Sequence, residues 1–206
     1  DNMLHEPKLL TETEGLQYLP YSVGIEIECY WNDKLDKNQV EKELRNLNLL
    51  ENSSFNNTEN KFRIRKGKQG LIELFNISNY CKRNLLLNEG SGIHYHIDCS
   101  EWYDDVNFEI LTDSNSEINK FILSELDSWG YDGTYNTRGI KNGKFYWVGI
   151  RERFKTLEYR IGEMTFDYYL LVKRIVHLCK LNNIIENFLT KGNTNNLKKL
   201  LENNKS

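Results

Sequence analysis

The apolar residues of this chain fall mostly into short alternating runs, interrupted by a few stretches with helical spacing. Residues 22–31 (SVGIEIECYW) alternate apolar and polar positions and are rich in β-branched side chains, which predicts a half-buried strand. The period then changes. Val40, Leu44, Leu47 and Leu50 recur at helical spacing within 35–50, and the polar stretch 51–60 predicts a loop. FRIRK at 62–66 and LIELFNIS at 71–78 predict two strands joined as a hairpin through the glycines of GKQG, with a short helix over 80–88. After Gly90 and Gly92, IHYHIDC at 93–99 alternates strictly, with Ile93, Tyr95 and Ile97 on one face and His94, His96 and Asp98 on the other. An amphipathic helix is predicted over 116–129, its stripe formed by Ile118, Phe121, Ile122, Leu126 and Trp129. Glycine-rich turns over 131–142 lead to two further strands, KFYWVGIR (144–151) and TLEYRIG (156–162). A long helix over 167–189 with Asp167 at its N-cap follows, and a last helix is expected over 194–202.

This order lacks the regular βαβ alternation of a parallel doubly wound sheet, so the expected class is α+β with a largely antiparallel sheet. A chain of 206 residues, 39% hydrophobic and 12% aromatic, suffices for one substantial core. No repeat or low-complexity linker divides it. The expectation is a single domain over 1–206, with a core of about 22–190, an N-terminal extension over 1–21 and a C-terminal helix and tail over 193–206.

Charge and cysteine usage narrow the function classes. The 27 basic and 30 acidic residues give a net charge of -3, which argues against global attraction to nucleic acid or to an anionic membrane. No apolar run approaches the roughly 20 residues that span a bilayer. Residues 1–10 lack the basic-then-apolar order of a signal peptide, so the expectation is a soluble, cytoplasmic protein. Cys29, Cys81, Cys99 and Cys179 have no CxxC spacing, which predicts packed thiols rather than a zinc knuckle or a disulfide framework. No Walker-type phosphate loop is present, and Gly130, Gly133, Gly139 and Gly143 read as turn residues.

The candidate chemistry lies in pairs spaced two apart. Glu26 with Glu28, His94 with His96, and Glu158 with Arg160 each share one face of a predicted strand, while Ile25, Ile27, Ile93, Tyr95, Leu157, Tyr159 and Ile161 point the other way. Glu73, between Ile72 and Leu74, reads as a fourth acid of this kind. Each pair alone has a plain explanation: a solvated sheet face, a satisfied histidine pair, half of a cross-strand ion pair. Their conjunction points elsewhere. Two like charges roughly 4 Å apart repel by about 4 kcal/mol at an effective dielectric near 20, and a divalent cation is the natural counter-charge. Carboxylate oxygens suit Mg²⁺ or Mn²⁺, and imidazole shifts the preference toward Mn²⁺ or a softer ion.

GIEIE (24–28), IELFNIS (72–78), GSGIHYHID (90–98) and TLEYRIG (156–162) occur in an order that resembles the amidoligase family, relatives of glutamate-cysteine ligase and glutamine synthetase. The resemblance covers about residues 22–190. It implies a glutamine synthetase-like catalytic fold, a curved antiparallel sheet with helices on one face, whose concave face holds ATP and divalent ions. By matching position it implies Glu26, Glu28, Glu73, His94 and Glu158 as metal ligands, with Glu73 and His94 also in the catalytic set. His96 is implied at ATP phosphate and Arg160 at the substrate carboxylate or transferring phosphoryl group. Arg151 and Arg153 are candidates for further phosphate contacts, or are surface arginines on a sheet edge. The implied reaction joins a small-molecule or peptide carboxylate to an amine through an acyl phosphate, with electrostatic stabilisation of the phosphoryl oxygens.

Two departures stand out. Relatives often carry an acidic-serine element where this chain has Arg63, Arg65, Lys66 and Lys68, and the stretch 78–89 is short where relatives have a long helix. The second implies a reduced lid and a compact, phage-type member with a more open site. Two other readings stay open: a binding or structural protein on the same scaffold without turnover, and a metal-dependent hydrolase or nuclease using the same acids and histidines.

Overall fold

The computed structural model describes residues 10–129 and 136–192. The expectations at 1–9, for turns over 130–135 and for a helix over 194–202 lie outside the described residues. In chain order the elements are α1 (Glu12–Tyr18), β1 (Val23–Glu28), β2 (Tyr30–Trp31), α2 (Lys37–Asn46), β3 (Ser53–Phe55), β4 (Asn60–Ile64), α3 (Lys68–Asn84), β5 (Leu85–Leu86), β6 (Gly92–Asp98), α4 (Glu109–Thr112), α5 (Glu117–Asp127), β7 (Thr137–Asn142), β8 (Tyr146–Arg151), β9 (Thr156–Tyr159) and α6 (Tyr168–Lys191). The class is mixed α+β with a seven-stranded, largely antiparallel sheet. Among the described residues no helix is long and apolar enough to cross a membrane. The four cysteines are free and buried.

Two compact units divide the chain, residues 1–96 with 163–177 and residues 97–162 with 178–206, so β6 and α6 each contribute to both. In the first unit the strand order is β3-β4-β1-β6, and β2 pairs with β5 separately. β1 lies antiparallel to β4 in the register Ile25↔Phe62, Glu26↔Lys61. Its inward side chains Val23, Ile25 and Ile27 are buried, as are Phe62, Ile64, Ile93 and Tyr95. α3 packs on β4, with the Tyr80 ring edge-on to Phe62 at 5.7 Å. Within 1–21, Thr11 caps α1 through a reciprocal capping box with Glu14. α1 then approaches α3 so closely that a Cβ at Gly15 would lie 2.3 Å from the Lys68 amide nitrogen.

The second unit carries the end of β6, then β9, β8 and β7. β8 and β9 are antiparallel, pairing Gly149 with Glu158 and Arg151 with Thr156. β7 and β8 are parallel, and the chain returns between them through Gly143 (φ 96), Lys144 and Phe145 (φ 73). That connection is far shorter than the dozen or so residues usual between parallel neighbours. α5 is capped by Ser116 and buries Ile118, Phe121, Ile122 and Leu126 as its stripe predicts. Asp167 caps α6 by accepting from the Leu170 amide at 2.8 Å.

Several local expectations are corrected. LIELFNIS is not a strand, and GKQG is not a hairpin turn. Both belong to the start of α3, whose 17 residues bury Gly70, Leu71, Glu73, Leu74, Ile77, Ser78, Cys81 and Asn84 at helical spacing. Eight residues satisfy either period, and the longer window decides for the helix. Gly67, with φ 83, makes the entry that other residues rarely adopt. Of the short helix expected over 80–88, residues 80–84 are the end of α3 and Leu85–Leu86 form β5. The run 22–31 breaks at Cys29 into β1 and β2; the loop over 51–60 contains β3, and residues 137–142 form β7 instead of turns.

The tightest backbone approach gives a direct check on the α3 correction. A Cβ at Gly70 would stand 1.7 Å from the Arg65 carbonyl oxygen, so Gly70→Ala forces the β4–α3 turn apart. Urea unfolding of Gly70→Ala is expected to show a loss of about 3 kcal/mol; a stability equal to the wild type would contradict the close approach.

Candidate functional site

Period two and strand order together assemble a polar cluster in the first unit. Glu26 on β1 and His94 and His96 on the neighbouring β6 meet on one side of the sheet. Glu26 Oε2 lies 3.2 Å from His94 Nδ1, and its Oε1 lies 3.2 Å from His96 Nε2. Glu28 Oε1 is 4.0 Å from the same His94 nitrogen. Both imidazoles are buried, at 6% and 8% exposure, while the Glu26 side chain keeps 21%. Small residues make the room: a Cβ at Gly24 would touch the His96 Cβ at 3.3 Å, and one at Gly92 would meet Glu28 Oε2 at 3.4 Å.

Hydrogen bonds from His94 and then His96 hold the Glu26 carboxyl well below the usual carboxylate range, outweighing the desolvation that pushes it up. Lys61, opposite Glu26 in the β1–β4 register, adds its ammonium 3.8 Å from Glu26 Oε1 and 3.7 Å from Glu59. Arg63 stands two residues along the same face of β4, opposite Gly24, so basic groups line the strand beside the acids. Nothing in the sequence pattern singles out Lys61. Its role depends on register, which alternation alone leaves open.

The donor set fits a divalent ion. Ligands about 2.1 Å from an octahedral ion stand roughly 3 Å apart. The 3.2 Å separation of Glu26 Oε1 from His96 Nε2 is compatible with that spacing. Glu26 and His96 each offer a ligand atom to such an ion.

Glu73 does not share this surface. It lies on α3, 4% exposed, with its Oε1 accepting the Arg65 amide at 3.0 Å. Its carboxylate ties the turn from β4 into α3, a structural use that follows once the segment is helical. Arg65 and Lys66 are exposed at the same turn.

In the second unit Glu158 on β9 is buried, with its side chain 3% exposed, and accepts from the Arg151 guanidinium at 3.1 Å. Arg160 Nε lies 4.0 Å from the same oxygen, and the Arg160 amide continues the β8–β9 pairing by donating to the Trp147 carbonyl at 2.8 Å. Each guanidinium faces an aromatic ring, Arg160 over Phe145 at 5.3 Å and Arg151 over Phe154 at 5.6 Å. Arg153 is exposed in the β8–β9 turn and also covers Phe154.

No protein-family model matches this sequence, and no curated protein matches it; the family resemblance therefore rests on the four ordered motifs alone.

Two substitutions separate the roles of Glu26 and Glu73. Calorimetric titration with Mn²⁺ is expected to lose saturable binding in Glu26→Gln and to keep it in Glu73→Gln. Glu73→Gln is instead expected to lower stability by about 1 kcal/mol through the weakened contact to the Arg65 amide. The depressed Glu26 pKa has its own signature. Its stabilising contribution is complete above the ordinary value of 4.5 and fades as pH falls below it. The stability advantage of the wild type over Glu26→Gln, measured by urea unfolding without metal, should therefore shrink from pH 5 downward; an advantage that grows on acidification contradicts the assignment.

Proposed function

We propose that this chain is an ATP- and divalent-cation-dependent carboxylate–amine ligase. One observation supports the reading: Glu26 Oε1 and His96 Nε2 stand 3.2 Å apart and can offer a mixed oxygen and imidazole pair to a small ion, with His94 on the other carboxylate oxygen. The ordered motifs that resemble amidoligases supply the reaction class, and the α+β architecture with its largely antiparallel sheet is compatible with the glutamine synthetase-like scaffold that class uses.

In the proposed reaction a carboxylate oxygen attacks the γ-phosphorus of ATP, the bond to the bridging oxygen breaks, and ADP leaves. The amine nitrogen then attacks the acyl carbon, phosphate is expelled, and the nitrogen loses a proton to give the amide. Bound Mg²⁺ or Mn²⁺ would neutralise phosphate charge and polarise the phosphoryl oxygens. Glu26, Glu28, His94 and His96 of the first unit would hold ions and orient phosphate. The Arg160 and Arg151 guanidiniums would stabilise charge on the phosphoryl oxygens, with Arg153 at the rim. Glu73 has no part in these steps.

A second reading is favoured by the paired imidazoles. Two histidines and a carboxylate also form the donor set of a softer ion that activates water, as in metal-dependent hydrolysis. Turnover with a panel of acids and amines, in the presence of ATP and Mg²⁺ or Mn²⁺, separates the two. The ligase reading predicts ADP release that depends on one acid and one amine and is abolished in Glu28→Gln and Arg160→Ala at unchanged melting temperature. Cleavage of an amide or phosphodiester without ATP would overturn it in favour of the hydrolase.

A further inference from the structure

The eight residues 61–68 (KFRIRKGK) hold five cations and no acid, in a chain whose net charge is -3. The metal cluster accounts for only one of them. Lys61 is balanced by Glu26 and Glu59, at 3.8 and 3.7 Å, whereas among the described residues no ion pair engages Arg63, Arg65 or Lys66, all of them exposed. The fold does not need these charges, since β4 is anchored by its inward side chains Phe62 and Ile64.

Burial alternates strictly from Asn60 to Arg65, so Lys61, Arg63 and Arg65 stand in a row on the outer face of β4, each roughly 6.8 Å from the next. The register fixes what that row faces. Arg63 is opposite Gly24 on β1, and a Cβ at Gly24 would meet the His96 Cβ at 3.3 Å, so Gly24 lies between Arg63 and His96. Directly opposite residues of an antiparallel pair point to the same face. The row and the Glu26–His96 pair therefore share one surface, with a position that carries no side chain between them.

The period of the row selects among polyanions. An extended polypeptide also advances roughly 6.8 Å per two residues, so carboxylates at every second position stand in step with Arg63 and Arg65. A single-stranded nucleic acid is held by aromatic stacking as well as by phosphate contacts, and the one aromatic residue of β4, Phe62, is buried. The net negative charge of the chain also works against a nucleic acid.

We infer that Arg63 and Arg65 dock an extended peptide segment with acidic residues at alternate positions, so that the acid substrate is a carboxylate of a polypeptide. The inference rests on the ligase reading for the fate of that carboxylate, and on the row for its class. Arg63 and Arg65 pair with successive carboxylates, and Gly24 leaves room for the reacting one beside Glu26 and His96. Lys61, already shared by Glu26 and Glu59, contributes less.

The test is fluorescence anisotropy with the full chain, using as probe a labelled peptide with glutamate at every second position and serine between. A labelled peptide of the same composition with its glutamates in one block, and an oligothymidylate of equal charge, are the controls. The alternating peptide is expected to bind saturably and more tightly than either. Arg63→Gln and Arg65→Gln should each weaken it by about two- to fivefold, the size of one exposed ion pair, while Lys82→Gln, which removes an exposed cation near the far end of α3, should leave it unchanged. Both arginines are exposed, so an unchanged melting temperature is expected in each variant and ties the loss to the docking contact. Equal affinity for the block peptide, an equal loss in Lys82→Gln, tighter binding of the oligothymidylate or no binding at all overturns the proposal. The outcomes also separate it from the ligase reading. ADP release with a small free acid, together with no binding of the alternating peptide, removes the docking row alone. Peptide binding that depends on Arg63 and Arg65, with no ADP release for any acid and amine, leaves the docking surface and removes the ligase.

Discussion

One carboxylate shared by two imidazoles is the constraint around which the first unit is organised. Glu26 can face His94 and His96 together only because β1 and β6 are neighbours and because the period of two returns both histidines to the same side. A partly buried acid is costly without partners, and the ring nitrogens supply them, which is why its proton affinity falls in spite of desolvation. Gly24 and Gly92 provide the space, and the apolar side chains Ile25, Ile27, Ile93 and Tyr95 fix the two strands from the other face. A one-residue slip in either strand would exchange the faces and dissolve the cluster.

The same interaction explains why the surrounding charges alternate in sign. Lys61 stands opposite Glu26 and reaches toward Glu59, and Arg63 continues along the same face of β4, so cations stand beside the acids. In the second unit the logic is repeated with other groups. Glu158, almost fully buried, is offset by Arg151 and Arg160, and each guanidinium is backed by an aromatic ring. Phe145 takes a left-handed backbone conformation to reach Arg160, a strain that structures retain mainly where it serves a purpose.

What the sequence disclosed, and what it withheld, follows from the same geometry. Alternation located β1, β6, β8 and β9 and paired Glu26 with Glu28 and His94 with His96, because in a strand parity alone decides the face. Helical stripes with caps located α5 and α6 down to Ser116 and Asp167. Parity failed for LIELFNIS, where eight residues fit both periods; the error carried Glu73 onto a strand face, although its carboxylate in fact closes the β4–α3 turn. Partners that depend on register or on a tight return of the chain, such as Lys61 opposite Glu26 and Phe145 over Arg160, leave no periodic trace. β7 was hidden for a similar reason. A strand of mostly polar residues with Gly139 in its middle reads as a turn until its parallel partner β8 is known.

Pulsed electron paramagnetic resonance of the protein loaded with one equivalent of Mn²⁺ addresses the central claim most directly. Imidazole nitrogens bound to the ion should modulate the echo in the wild type, and the modulation should diminish in His94→Ala and in His96→Ala. A spectrum of the fully hydrated ion, unchanged by either substitution, would mean that the carboxylate and its two imidazoles hold each other and no metal.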